Sequence, residues 1–177
     1  AAEQGHAEAC YKLSRLYYKG HGVMQDPQKA FLMSLEAAEA GLAIAQREVG
    51  YIYEVGNGVA KSCNSAKVWY QKAASQGDSL AQSYLGALYY LGNGTEKNYA
   101  AARRWFGKAA AQKEPMAQFY LGCMAYFGYG EPKNYRIARN WFEKAATQQN
   151  AFAERFLGDI YFMAQSVERD YVKAYEF

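Results

Sequence analysis

Apolar and polar positions follow a helical period along the chain, and that helical pattern itself recurs every 36 residues. Ala9, Leu13, Leu16 and Tyr17 stand at i, i+4, i+7 and i+8, the spacing of one buried helix face. Gly20 and Gly22 then end the helix, since glycine reaches positive φ without a Cβ penalty. A second start follows at Asp26-Pro27, with Asn98, Asn134 and Asp170 at the equivalent place in other units. Asp or Asn there caps a helix, and Pro27 suits its first turn. This second helix runs through an Ala-Ala pair and is expected to end near Gly5, Gly41 and Gly77 as C-terminal caps. The pattern predicts ten helices, two per unit, with no strand and the tenth cut short near Phe177.

The register holds over the whole chain. Ala-Ala begins at residues 1, 37, 73, 109 and 145, and a single Ala returns at Ala9, Ala45, Ala81, Ala117 and Ala153. A branched apolar residue follows at Leu13, Val49, Leu85, Leu121 and Leu157. After it comes Gly50, Gly86, Gly122 or Gly158, with Ser14 in the first unit. Gly-x-Gly pairs recur at Gly56/Gly58, Gly92/Gly94 and Gly128/Gly130. Trp69, Trp105 and Trp141 share an aromatic position, which predicts that Trp105 anchors stacked hairpins. The units are therefore 1–36, 37–72, 73–108, 109–144 and the incomplete 145–177, forming one solenoid segment over 1–177. A period of this length means stacked hairpins, because one hairpin cannot bury its own apolar face. The expected class is all-α, an α/α superhelical solenoid.

The pattern A-A-x-x-G-x-x-x-A-x-x-x-L-G, then Tyr, G-x-G and a later K-A-x-x-W, resembles the Sel-one-like repeat (SLR) family. These are 36-residue relatives of the tetratricopeptide repeat. The unit holding Ala73-Ala74, Gly77, Ala81, Leu85-Gly86, Tyr89, Gly92, Gly94, Ala102 and Trp105-Phe106 matches best. Departures are Ala164 and Ser166 in place of Gly, and Lys113 and Gln149 in place of the cap glycine. The resemblance implies an adaptor in protein complexes and implies no chemistry. Some relatives staple each repeat with paired cysteines. Here Cys10, Cys63 and Cys123 occupy three different positions, which argues for free thiols.

Alignment with tetratricopeptide repeats points the eighth, eleventh, fifteenth, eighteenth and nineteenth positions of each unit at a concave groove. These positions vary while the Ala, Leu and Gly positions around them do not, as a recognition surface would. The candidate partner-binding residues are Arg15, Arg47, Tyr51, Tyr90, Met116, Phe119, Tyr126, Phe127, Phe152, Arg155 and Phe162. Groove aromatics are expected to gain nothing from the fold itself, so Phe119, Tyr126 and Arg155 carry the hypothesis. Phe127 and Phe152 have a rival role, sealing the interface between units.

Composition narrows the classes further. With 51% hydrophobic and 16% aromatic residues in 177, the chain can bury a large core, which excludes a disordered chain. No apolar run nears the ~20 residues of a membrane span. The first residues lack a signal-peptide pattern, so this segment reads as soluble, compatible with a signal upstream. Net charge is +3, too small and too evenly spread to demand a polyanion. Lys72, Lys108 and Lys144 recur at one position, but they fall near helix C-termini, where the dipole favours cations. No nucleic-acid partner is expected. Only His6 and His21 are present, so residues 22–177 offer no imidazole for a nucleophilic pair. His6 and Cys10 share a helix face with His21 nearby, yet two or three soft ligands without a fourth argue weakly for zinc. The Gly-x-Gly pairs follow helices rather than strands and read as turns, not nucleotide loops. No metal, cofactor or catalytic residue is assigned. The reading is a non-enzymatic scaffold that binds a protein or peptide in its groove. Its rivals are an inhibitor or immunity protein that blocks one enzyme or toxin, a hydrolase or cell-wall-binding activity on the same scaffold, and an empty spacer.

Overall fold

The computed structural model describes residues 2–163. Among these the chain is all-helical, with α1 (Ala2–Lys19), α2 (Pro27–Glu39), α3 (Ala43–Val55), α4 (Cys63–Ser75), α5 (Ser79–Leu91), α6 (Tyr99–Ala111), α7 (Pro115–Phe127), α8 (Tyr135–Ala146) and α9 (Ala151–Phe162). The expected tenth helix, the Asp170 cap and the Ala164/Ser166 loop lie outside the described residues. Two compact units form, Ala1–Lys97 and Asn98–Phe177. In each, helices consecutive in sequence pack on one another: α1 on α2, α2 on α3, α3 on α4 and α4 on α5 in the first, then α6 on α7, α7 on α8 and α8 on α9 in the second.

Helix starts follow the capping chemistry expected of them. The Asp26, Asn98 and Asn134 side chains accept from the amides of Lys29, Ala101 and Ile137 at 3.0, 2.9 and 3.0 Å. The odd-numbered helices have caps of their own, Asp78, Glu114 and Asn150 for α5, α7 and α9. At the helix ends, Gly41 and Gly77 sit at φ of 91° and 93°. Lys113 and Gln149 take the same left-handed place at 64° and 61°, a conformation that costs a residue with a Cβ about 1–2 kcal/mol. Gly5 does not end a helix; it lies inside α1.

The core is built from the repeated small and branched positions. Ala45, Val49 and Ile52 of α3 are buried, as are Ala81, Leu85 and Leu88 of α5 and Ala153, Leu157 and Ile160 of α9. Their equivalents in α1, Ala9, Leu13 and Leu16, are exposed, contrary to the sequence expectation. In α3 this side of the helix belongs to a core shared with α2, whereas α1 buries Ala7, Cys10 and Ser14, the side turned to its own hairpin partner.

The Trp position is not the main anchor. Trp69, Trp105 and Trp141 are half-buried, and the following residues Tyr70, Phe106 and Phe142 are buried completely. Tyr70 and Phe142 each need space on the first helix of their hairpin. A Cβ at Gly50 would stand 2.6 Å from the Tyr70 ring, and one at Gly122 would stand 2.5 Å from Phe142. Real Cβ atoms do not come so close. In the first hairpin the glycine is replaced by Ser14, and the aromatic by Ser34, both buried. Tyr70 also donates its hydroxyl to the Glu54 carboxylate at 2.6 Å. Burial, then that hydrogen bond, raises the Tyr70 hydroxyl far above its usual value.

A glutamine ladder, absent from the sequence reading, ties the hairpins together. Gln46 and Gln82 are buried and donate to the carbonyls of Ala38 and Ala74 at 3.1 and 3.2 Å. Gln76 donates to Gln46 Oε1 at 2.8 Å, and Gln148 donates to Gln118 Oε1 at 3.0 Å. The recurrence of Gln at 46, 82 and 118 was the signal for it. Buried amides so paired avoid the desolvation penalty of an unmet polar group.

Candidate functional site

The variable positions of the odd-numbered helices form two neighbourhoods, one in each unit. In the first unit Tyr18 of α1, Arg47, Glu48 and Tyr51 of α3, and Tyr84 of α5 line a pocket of about 250 Å³. Arg47 is held toward Asp78, the cap of α5, with Nε to Oδ2 at 3.7 Å and both side chains 17% exposed. Tyr51 is 44% exposed. Arg15 is exposed and donates to the Tyr11 hydroxyl at 3.5 Å, outside the pocket lining. Tyr90 is half-buried on α5. The structure thus brings Arg47 and Tyr51 together, adds Tyr18, Glu48 and Tyr84, and leaves Arg15 and Tyr90 outside the lining.

The second unit presents aromatic rings, with Phe119 where the first unit has Arg47 and Phe156 where it has Glu48. Phe119 of α7 lies 6.0 Å from both Phe152 and Phe156 of α9 and 5.9 Å from Phe142 beneath, centroid to centroid. Tyr126 packs on Phe127, Tyr135 and Phe156 at 5.0 to 5.2 Å. Burial, then Asp159 and Tyr135, raises the Tyr126 hydroxyl above the ordinary tyrosine value. Phe119 and Tyr126 are half-buried against the core of this unit, so they do contribute to the fold, which corrects the sequence expectation. The centre of the web is Phe156, stacked on Phe142 at 5.0 Å. Phe156 precedes the buried Leu157, and nothing in the repeat pattern marked it. The outward rings are Phe127, Phe152 and Phe162, at 40%, 68% and 56% exposure. Met116 is half-buried and Arg155 exposed.

The recurrent lysines have a local role. Lys72, Lys108 and Lys144 each lie over the Trp three residues earlier, with Nζ 3.8, 4.5 and 4.3 Å from the centroids of Trp69, Trp105 and Trp141. A cation over an indole face in this geometry gains about 0.5–1 kcal/mol at an exposed site. All three cysteines are free thiols.

Helix hairpins with a constant interior and variable outward positions define a helical-repeat scaffold. The chain belongs to the Sel1 repeat family: the Sel1 repeat model matches residues 7–42, 43–78, 79–114, 115–150 and 151–177. Among solved structures it is similar to c5321, a protective antigen of uropathogenic Escherichia coli strains displaying an SLR fold, with 35% identity and a TM-score of 0.92. That match covers 98% of this chain and 37% of c5321, so the chain spans little more than a third of that relative. A Sel1 repeat protein from Oxalobacter formigenes matches at 32% identity and a TM-score of 0.89, over 95% of this chain and 69% of that one. Immunity protein Pa5087 from Pseudomonas aeruginosa is 26% identical with a TM-score of 0.59, over 90% of this chain and 59% of its own. No curated protein matches the chain. Sel1 repeat proteins generally mediate protein–protein interaction, and the scaffold is typically non-enzymatic. No helix among the described residues is long and apolar enough to cross a membrane.

Proposed function

We propose that this chain is a non-enzymatic scaffold that binds a protein or peptide through the variable faces of its odd-numbered helices. The observation that carries this reading is the outward aromatic set of the second unit, Phe127, Phe152 and Phe162, beside the half-buried Phe119. Rings held in place by a packed floor lose little entropy on binding and suit the anchor role at an interface. Tyr126 packs on Phe127, Met116 is half-buried on the same helix, and Arg155 supplies a guanidinium for a partner carboxylate. In the first unit Arg47 and Tyr51 offer a polar counterpart, with Arg15 and Tyr90 on neighbouring helices. The recurrent lysines are occupied with tryptophan, which favours a protein partner over nucleic acid. Phe152→Ala combined with Phe127→Ala, in a variant with unchanged helicity, should weaken capture of the physiological partner by about 2 kcal/mol or more. Retained affinity would place the interface elsewhere.

The similarity to immunity protein Pa5087 favours one more specific form of this reading, an inhibitor that blocks one enzyme. Loss of the captured partner's enzymatic activity on stoichiometric addition of the chain would select it; an active complex would select the adaptor.

A further inference from the structure

Outside both faces, the first hairpin gathers three potential metal donors. His6 of α1 and Glu36 of α2 are thirty residues apart and meet at 2.9 Å between Nε2 and Oε1. One turn further along α1, the Cys10 sulfur lies 3.6 Å from the same imidazole nitrogen. The three donor atoms all fall within 4.8 Å of one another. Among the described residues no other group of His, Cys, Asp and Glu donors converges in this way. His21 is not a member.

Two of the three donor separations are close to those around one cation, and the third, from the Cys10 sulfur to the Glu36 carboxylate, is within 4.8 Å. In a tetrahedral zinc shell, with bonds of about 2.0 Å to nitrogen and oxygen and 2.3 Å to sulfur, neighbouring donors stand roughly 3.3–3.6 Å apart. The sulfur–nitrogen pair already has that separation, and the nitrogen–oxygen pair needs to open by only a few tenths of an ångström. The i, i+4 placement of His6 and Cys10 holds two donors on one helix face, and Glu36 supplies the third from the packed neighbour. Cys10 is buried while the side chains of His6 and Glu36 are 68% and 48% exposed, so sulfur forms the floor and solvent reaches the rim.

We propose that His6, Cys10 and Glu36 form a binding site for a thiophilic divalent cation of the Zn²⁺ class, with water as the fourth ligand. One thiolate and one carboxylate balance the two positive charges. Without metal, burial and then the Glu36 carboxylate keep the Cys10 thiol protonated. Coordination replaces that proton, which leaves to solvent as the sulfur–metal bond forms. The bound ion clamps α1 to α2, the hairpin whose first helix exposes Leu13 and Leu16. None of the three ligands lines the Tyr18–Arg47–Tyr51 pocket, so the site stands independently of the partner-binding reading.

The test is Co²⁺ titration of the reduced full chain, followed by near-ultraviolet absorption. A thiolate-to-cobalt charge-transfer band should grow to one equivalent, release one proton per ion and vanish on adding Zn²⁺. Cys10→Ser should abolish the band, while Cys63→Ser and Cys123→Ser retain it. His6→Gln and Glu36→Gln should each weaken binding by roughly tenfold or more, as expected on loss of a direct ligand. Because Cys10 is buried, Glu36→Gln provides a second reading that leaves the core intact. Added Zn²⁺ should raise the melting temperature of the native sequence, and this rise should be lost in Glu36→Gln. No charge-transfer band at millimolar Co²⁺, or a band that survives Cys10→Ser, would overturn the site.

Discussion

The outward helix faces carry different chemistry in the two units, and where α3 has Arg47 the equivalent residue of α7 is Phe119. Around α3 they hold Arg47, Glu48 and Tyr51 and leave a polar pocket. Around α7 and α9 they hold Phe119, Tyr126 and Phe152, and the space is filled by rings. The helix junctions differ as well. The first unit closes its hairpins with Gly41 and Gly77, the second with the left-handed Lys113 and Gln149. The backbone tolerates both because the interior it depends on, the Ala, Leu and Gly positions, is common to them. In the second unit Phe119 and Tyr126 are packed into a web of rings, whereas Tyr51 of the first unit is exposed.

Thiol chemistry should separate Cys63 of the first unit from Cys123 of the second most widely. Burial pushes the Cys123 thiol of the second unit up to about 12 from an ordinary 9.0. A raised pKa lowers the thiolate fraction at every pH below it, so iodoacetamide at pH 8 should modify Cys123 on the order of a thousandfold more slowly than an unperturbed thiol. The half-buried Cys63 of the first unit should react first, as peptide mass mapping would show. Labelling of Cys123 at the pace of Cys63 would break the contrast. Next in size is the ring floor: Phe142→Ala should cost about 3–5 kcal/mol in denaturant unfolding, with Trp105→Ala well below it because that indole is half-exposed. An equal cost for both would restore tryptophan as the anchor.

Face substitutions test the comparison directly. Phe119→Ala should destabilise by about 2 kcal/mol, less than a fully buried ring, since it removes contacts to Phe142, Phe152 and Phe156. Tyr51→Ala should stay within about 0.5 kcal/mol, as for an exposed residue. Equal losses would mean that both faces bear structural load. The smallest effect is a gain. Lys113→Gly should stabilise by about 0.5–1 kcal/mol, left-handed strain being relieved against the entropy glycine adds to the unfolded chain. A lower melting temperature would show that Lys113 contributes something glycine cannot.

Much of this architecture was legible in the sequence, because a 36-residue period repeated through the chain averages out local ambiguity. Asp26, Asn98 and Asn134 were readable as caps from residue type and place alone. Trp105 and Phe106 show where that legibility stops. Both recur with the period, and one residue turns a side chain by about 100° around a helix, so the pattern alone does not say which enters the core. The decision lies across the hairpin, where Gly50 and Gly122 open a space that only the second ring can enter. Leu13 and Leu16 have the spacing of a buried face, but among the described residues no helix packs on that side of α1. Phe156 and Glu36 owe their importance to residues far away in the chain. The pocket residues Glu48 and Tyr84 sit at a position that the tetratricopeptide comparison did not point at the groove.

The pairing of Ser14 with Ser34, Gly50 with Tyr70 and Gly122 with Phe142 has a consequence for heredity. Each pair lies inside one hairpin, so the hole and the ring that fills it are inherited together. A recombination event that duplicates, deletes or transplants a whole hairpin delivers a matched pair wherever it lands. A crossover between the two helices would set Tyr70 against Ser14 and drive a ring into a side chain. Viable arrays of this kind therefore lengthen and shorten by whole units, and a new recognition face can arrive on a cassette that already fits itself.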